Sequence, residues 1–152
     1  MVAGLGSTLE WTKYQKGDNP ADYELPGMTL ADMASHLAKR LNARAGIRVV
    51  GDPQTRVRHV SLLPGLTALA ATMKLLPACD VVIAGEVREW ESVEYAQDTV
   101  ASGQKKGFIT IGRVLSEEPG MELCARWVKT LISEVPVRPI AAGDPYWRPR
   151  LG

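Results

Sequence analysis

From Thr29 onward, hydrophobic and polar positions alternate between a helical and a strand-like period. Leu30, Met33, Ala34, Leu37, Ala38 and Leu41 recur at the spacing of one helix face, and Thr29 with Asp32 supplies an N-cap and a first-turn acid. Gly46 ends the connection that follows. Residues 47–51 and 57–63 read as strands, and Asp52-Pro53-Gln54-Thr55 between them predicts a turn that joins them as an antiparallel hairpin. Pro64-Gly65 then turns the chain into a helix over 66–76, with Leu66, Leu69, Ala70 and Met73 on one face. Residues 79–84 are almost wholly apolar, as a strand covered on both faces requires. A helix over 87–101 stops at Ser102-Gly103, and residues 107–111 form the next strand. The helix over 120–132 has Met121, Cys124, Val128 and Leu131 as its buried stripe, with Trp127 beside it. A short strand over 137–141 leads into the tail.

The element order is therefore α-β-β-α-β-α-β-α-β. Two consecutive strand–helix–strand units predict an α/β fold: a single domain with a mixed, mostly parallel sheet and helices packed on it, the hairpin supplying an antiparallel edge. Residues 1–27 lack periodicity and are broken by Gly and Pro, so they read as an irregular arm. Trp11, Tyr14 and Tyr23 would anchor that arm to a surface of this chain or of a partner. The domain proper runs over 28–147, with 148–152 as a tail.

Composition narrows the function classes. The 152 residues suffice for one domain with a core, and 45% apolar content with a single Phe makes that core aliphatic. A formal charge of +1 with acids and bases interspersed offers neither a nucleic-acid groove nor a polybasic membrane patch. No apolar run approaches the ~20 residues of a membrane span. The first residues lack a basic n-region, so a secretory signal is not expected. Cys79 and Cys124 fall in segments that read as buried. They fit reduced core thiols of a cytoplasmic protein, the alternative being a disulfide or a metal pair.

Candidate chemistry gathers where strands run into helices, because ligands of α/β proteins bind beyond the carboxyl ends of the strands. One such corner is Asp80-Val-Val-Ile-Ala-Gly85-Glu86, and the other is Ile111-Gly112-Arg113-Val-Leu-Ser116-Glu117. An acid at a helix start either complements the macrodipole or joins a site, and the second reading requires company. Arg113 and Glu117 share a face if their segment is helical. His36, off the apolar stripe of its helix, reads as solvated, and His59 has an even chance of facing solvent. The sequence contains no HExxH, phosphate-binding loop, GxGxxG or nucleophile elbow.

These corners resemble the carboxyl-terminal half of the Nif-three-like family, also known as GTP cyclohydrolase 1 type 2 homologues. That family carries a segment like Asp-x-x-Ile-Thr-Gly-Glu before a helix, and a strand ending in Gly-His-x-x-Thr/Ser-Glu. Asp80–Glu86 is similar to the first and Ile111–Glu117 to the second, with Arg113 at the histidine position. Arg48-Val-Val-Gly-Asp52, Val57-Arg-His-Val-Ser61 and Pro119-Gly120-Met121 are similar to further family segments, so the likeness runs from about Met28 to Trp147.

The resemblance implies a two-lobed subunit in a ring, usually a hexamer, with a pair of divalent metals of the zinc, iron or manganese class between the lobes. It also implies a hydrolase-like activity of unsettled substrate. Glu117 is the position that would ligate metal, and Glu86, Gly112, Arg113 and Ser116 are the ligand-binding or corner residues. Two departures count against a working centre. The ligand-bearing amino-terminal lobe has no counterpart here, and a guanidinium has no lone pair to give a metal. The expectation is therefore a carboxyl-terminal piece of a metal-dependent, hydrolase-like protein, inactive alone. The alternative is a stand-alone, non-catalytic oligomerising or ligand-binding module. Its partners would be further copies of itself or the missing lobe, with neither nucleic acid nor membrane involved.

Overall fold

The structure, a computed structural model, describes residues 1–43, 46–143 and 147. Its strands are β1 (Asp22–Thr29), β2 (Arg48–Val50), β3 (Arg56–Thr67), β4 (Val81–Val87) and β5 (Gly107–Thr110). They form one mixed sheet in the order β1-β3-β4-β5-β2. The centre, β3-β4-β5, is parallel, and an antiparallel strand closes each side. The helices are α1 (Val2–Thr8), α2 (Leu30–Arg40), α3 (Leu69–Leu75), α4 (Glu94–Ala101) and α5 (Arg113–Val128).

Side-chain alternation along the strands sorts the core into two layers. Val81 and Ile83 of β4 face α1 and α2, whose Leu5, Met33 and Leu37 are fully buried. Val82 and Ala84 face the opposite way, toward Leu76 after α3 and Ala96 of α4. The result is one α/β domain, as the periodicities predict. Among the described residues no helix is long and apolar enough to cross a membrane.

The predicted hairpin does not form. β2 pairs with β5 and β3 with β1, so β4 and β5 lie between the two runs in the sheet. The loop between them caps a helix instead. Thr55 O and Pro53 O accept from the amides of Leu30 and Ala31, the first orphan donors of α2. α2 itself starts as expected, with a reciprocal Thr29–Asp32 capping box.

Residues 1–27 are not an irregular arm. β1 pairs along β3, and Tyr23 and Leu25 point into the core. Pro26-Gly27 hides this strand from a pattern reading, because it sits at the register shift between Glu24 and Met28 on an edge where proline is tolerated. α1 is equally hidden, since glycine is a poor helix former. Here Gly4 and Gly6 allow close approach to Gly120 and to the Tyr23 ring. The aromatic anchors settle on this chain: Trp11 is 3% exposed, stacks on His36 at 5.7 Å and meets Tyr23 at 5.8 Å. His36, expected in solvent, is half-buried beneath Trp11 with Nε2 at 3.1 Å from Leu9 O.

Three further boundaries move. The helix expected over 66–76 begins at Leu69, because β3 continues through Pro64-Gly65 to Thr67. Residues 137–141 join no ladder among the described residues, since Pro136 and Pro139 remove donors that a ladder needs. α5 begins at Arg113 rather than 120, because Gly112 at φ 86° turns β5 directly into the helix. The expected buried stripe of this helix is not buried: Met121, Cys124 and Leu131 are exposed. The predicted tail 148–152 lies outside the described residues.

The two cysteines, both free, therefore differ. Cys79 is 2% exposed, and burial pushes its thiol up to about 11. Burial favours the neutral thiol, so Cys79 weakens the fold only as pH rises past the ~8.5 of an unfolded cysteine. At neutral pH a disulfide-exchange reagent should titrate one thiol, Cys124, in the folded chain and both in denaturant. Two fast-reacting thiols without denaturant would contradict this packing.

Candidate functional site

Three strand ends build the corner. Ile111 N and Gly112 N donate to Ala84 O and Gly85 O, each at 2.9 Å, so β5 stays registered with β4 until the helix turns away. Ser116, one turn into α5, is fully buried and uses its hydroxyl twice. Oγ accepts from Gly65 N at 2.9 Å and donates to Arg113 O at 2.7 Å. The end of β3 is thereby tied to the first turn of α5.

Glycine is required where these elements meet. A β-carbon on Gly85 would lie 2.5 Å from Gly65 O and 2.7 Å from Gly65 N, and would also strike Ser116 Oγ. Gly65 has φ +78°, and a β-carbon there would lie 2.8 Å from Glu117 Oε1. The Glu117 carboxylate therefore rests against Gly65. Its other oxygen accepts from Arg113 Nε at 3.2 Å, with side-chain exposures of 26% for Glu117 and 56% for Arg113. At that exposure the pair contributes no more than about 1 kcal/mol to stability. It does hold the carboxylate in place.

Gly112, Arg113, Ser116 and Glu117 thus come together, and Glu86 does not. Glu86 is exposed and makes no hydrogen bond or ion pair with them among the described residues, while the next residue, Val87, packs on the layer of Leu76 and Ala96. Neither acid complements a helix start. Glu86 is still in β4. Glu117 lies beyond the first turn of α5. The next residue, Glu118, buries Oε1 without a partner among the described residues. Gly65 is the corner residue that the sequence reading misses, because Pro-Gly looks like a turn into a helix. The signal that would have found it is glycine at the ends of all three parallel strands.

A second polar cluster lies near the amino end of β4. His59 Nε2 is 2.7 Å from Asp22 Oδ1, which also accepts from Ser61 Oγ at 3.3 Å. Asp80 Oδ2 accepts from the amides of Arg58 and His59 at 2.8 and 2.9 Å. These contacts bind β1, β3 and β4 to one another, and they give His59 a partly buried carboxylate partner.

The corner does not fit a divalent ion. Among the described residues no three His, Cys, Asp or Glu side chains converge as ligands. At the corner the Glu117 carboxylate is bonded to a guanidinium that cannot ligate, and the Ser116 hydroxyl is committed to the backbone.

The family model for Duf34/NIF3 (NGG1p interacting factor 3) matches residues 21–142. Among solved structures, a Bacillus cereus protein related to NIF3 is 22% identical with a TM-score of 0.58, over 72% of this chain and 28% of that one. Staphylococcus aureus protein SA1388 is 17% identical with a TM-score of 0.65, over 93% of this chain and 51% of its own. Protein ybgI, described as of unknown function, is 22% identical with a TM-score of 0.64, over 84% and 49%. The chain thus spans between about a quarter and a half of these relatives. No match was found among curated proteins.

Proposed function

Since the chain belongs to the Duf34/NIF3 family, we propose that it serves as the carboxyl-terminal lobe of a Nif3-like, hydrolase-type cytoplasmic protein, and that its corner binds without metal chemistry of its own. The observation that carries this reading is the ion pair of Arg113 with Glu117, at the position where the family resemblance calls for a histidine and a glutamate. Arg113 neutralises the Glu117 carboxylate, and its remaining donors suit a carboxylate or phosphate group. In a longer assembly the second lobe would bring the histidine and aspartate ligands. Here Glu117 is the vestige of the metal site, and catalysis is absent from the lobe alone.

A calorimetric titration with manganese or zinc tests the proposal. The chain should bind either ion no more tightly than about 10⁻³ M, the range of weak, ligand-poor sites. Arg113→His, which restores a nitrogen donor one helical turn from Glu117, should tighten binding by about tenfold, or 1.4 kcal/mol. Two tightly held ions in the unaltered chain would overturn the reading. A second reading, a stand-alone assembly module, is favoured by the apolar face that α5 leaves open.

A further inference from the structure

The amino ends of the parallel strands carry a cleft of their own, at the opposite end of the sheet from the corner. One wall is the turn from β2 into β3, where Asp52, Gln54, Thr55 and Arg56 face the opening. The other is the connection from α4 into β5, with Gln104, Lys105 and Lys106. The cavity between them measures about 480 Å³, a size typical of small-molecule sites.

Each wall is fixed without help from the other. Thr55 N and Gln54 N donate to Asp52 O and Asp52 Oδ1, each at 2.9 Å, and Thr55 O and Pro53 O dock the same turn on α2. Across the cleft, Gly103 at φ 90° closes α4, and Lys106 Nζ donates to the carbonyls of Pro77 and Cys79. Among the described residues no hydrogen bond or ion pair runs from one wall to the other. The gap is therefore preformed, and a ligand that enters it has little to order.

Its charge is unbalanced. Arg56, Lys105 and Lys106 stand against the single carboxylate of Asp52, and none of the four forms an ion pair among the described residues. The other acid near Arg56, Asp32, is already bonded to Thr29 in the cap of α2. Lys105 lies four residues beyond Ala101, past the reach of the α4 dipole, so helix capping does not account for it. Thr55 is 7% exposed, and its hydroxyl makes no hydrogen bond among the described residues.

We propose that this cleft binds a small phosphate monoester, the phosphate bridging Arg56 and Lys105 and the ester's hydroxylated body lying against Gln54, Gln104 and Thr55. A guanidinium and an ammonium are the side chains best matched to phosphate oxygens. Lys106, tied to two carbonyls, adds charge rather than a free donor. Carboxamides both donate and accept, as hydroxyl groups require. An extended polyanion is a poorer match, because a chain of formal charge +1 with interspersed acids offers it no continuous basic track.

Titrating the isotope-labelled full chain with glycerol phosphate at low salt, read residue by residue from its amide shifts, tests the proposal. The amides of Gln54, Thr55, Gly103, Gln104 and Lys105 should shift saturably, with a dissociation constant below about 1 mM that rises with ionic strength. Lys105→Gln, at an exposed position outside the core, should weaken binding about tenfold. Arg56→Gln should do the same, whereas Lys74→Gln, exposed on α3, should change nothing. Glycerol alone should leave the cleft amides in place. The proposal is overturned if those amides do not shift, if shifts are confined to residues 112–117, or if Lys105→Gln binds as tightly as the unaltered chain. Equal shifts with glycerol would overturn it too. The cleft shares no residue with the corner, so this proposal and the one tested by metal titration fail separately.

Discussion

Trp11→Ala is expected to cost about 3–5 kcal/mol of folding stability, the range for removing a large aromatic from a packed core. Against a typical total of about 5–15 kcal/mol, that removes between roughly a fifth and all of the folding stability. The side chain is 3% exposed and bridges three segments: the turn after α1, Tyr23 in β1 and His36 in α2. Its loss opens a cavity that none of these can collapse to fill, since β1 is held by its ladder to β3 and α2 by its capping box. His36 would also lose its stacking partner while its ring stays beside Leu9 O. Urea denaturation measures the effect directly. A loss below about 1 kcal/mol, the centre of the range for point substitutions in general, would mean that the leader is peripheral after all.

Gly85→Ala is expected to be the next most damaging single change. The added methyl meets the Gly65 backbone at 2.5 and 2.7 Å as well as the Ser116 hydroxyl, and backbone cannot rotate away as a side-chain end can. Overpacking of this kind costs about 1–3 kcal/mol. Separating Gly65 from Ser116 would strand the buried hydroxyl and amide for a further ~1–3 kcal/mol. The melting temperature of a chain this size falls by about 2–4 °C per kcal/mol, so a drop on the order of 10 °C is the expected readout. Gly27→Ala is the control: its β-carbon would meet only the movable end of Arg56 at 3.1 Å and the Arg58 stem, and a small effect is expected. Equal losses at the two positions would refute the assignment of close packing to the corner.

Locally encoded features were legible in the sequence. The Thr29–Asp32 cap, the amphipathic face of α2 and the apolar runs of β4 and β5 all depend on neighbours within a turn or a strand, and all of them form. The Arg113–Glu117 pair belongs with them, because four-residue spacing on a helix determines that contact. Strand partners were not legible. Asp-Pro between two strand-like runs suggests a hairpin, yet β3 gains more from the inward Tyr23 and Leu25 of β1, more than thirty residues earlier in sequence, than from the three-residue β2. Gly65 and Glu86 were misread for a related reason. Which residues meet at the corner depends on the register of β3 against β4, a long-range property with a shift between Leu63 and Leu66.

The sequence by itself determined that this is an α/β domain of the Duf34/NIF3 kind and that a guanidinium stands at the position where the family resemblance expects a histidine. These follow from residue identity and short-range periodicity, which survive whatever the rest of the chain does. Only the tertiary structure decided that Leu5, Leu9, Trp11, Tyr23 and Leu25 of the first 27 residues belong to the core, that Glu86 stands apart from Glu117, and that the stripe of α5 is exposed among the described residues. An apolar period states that a surface must be buried and is silent about what buries it. For α2 the answer lies inside the chain, and for α5 the described residues supply none.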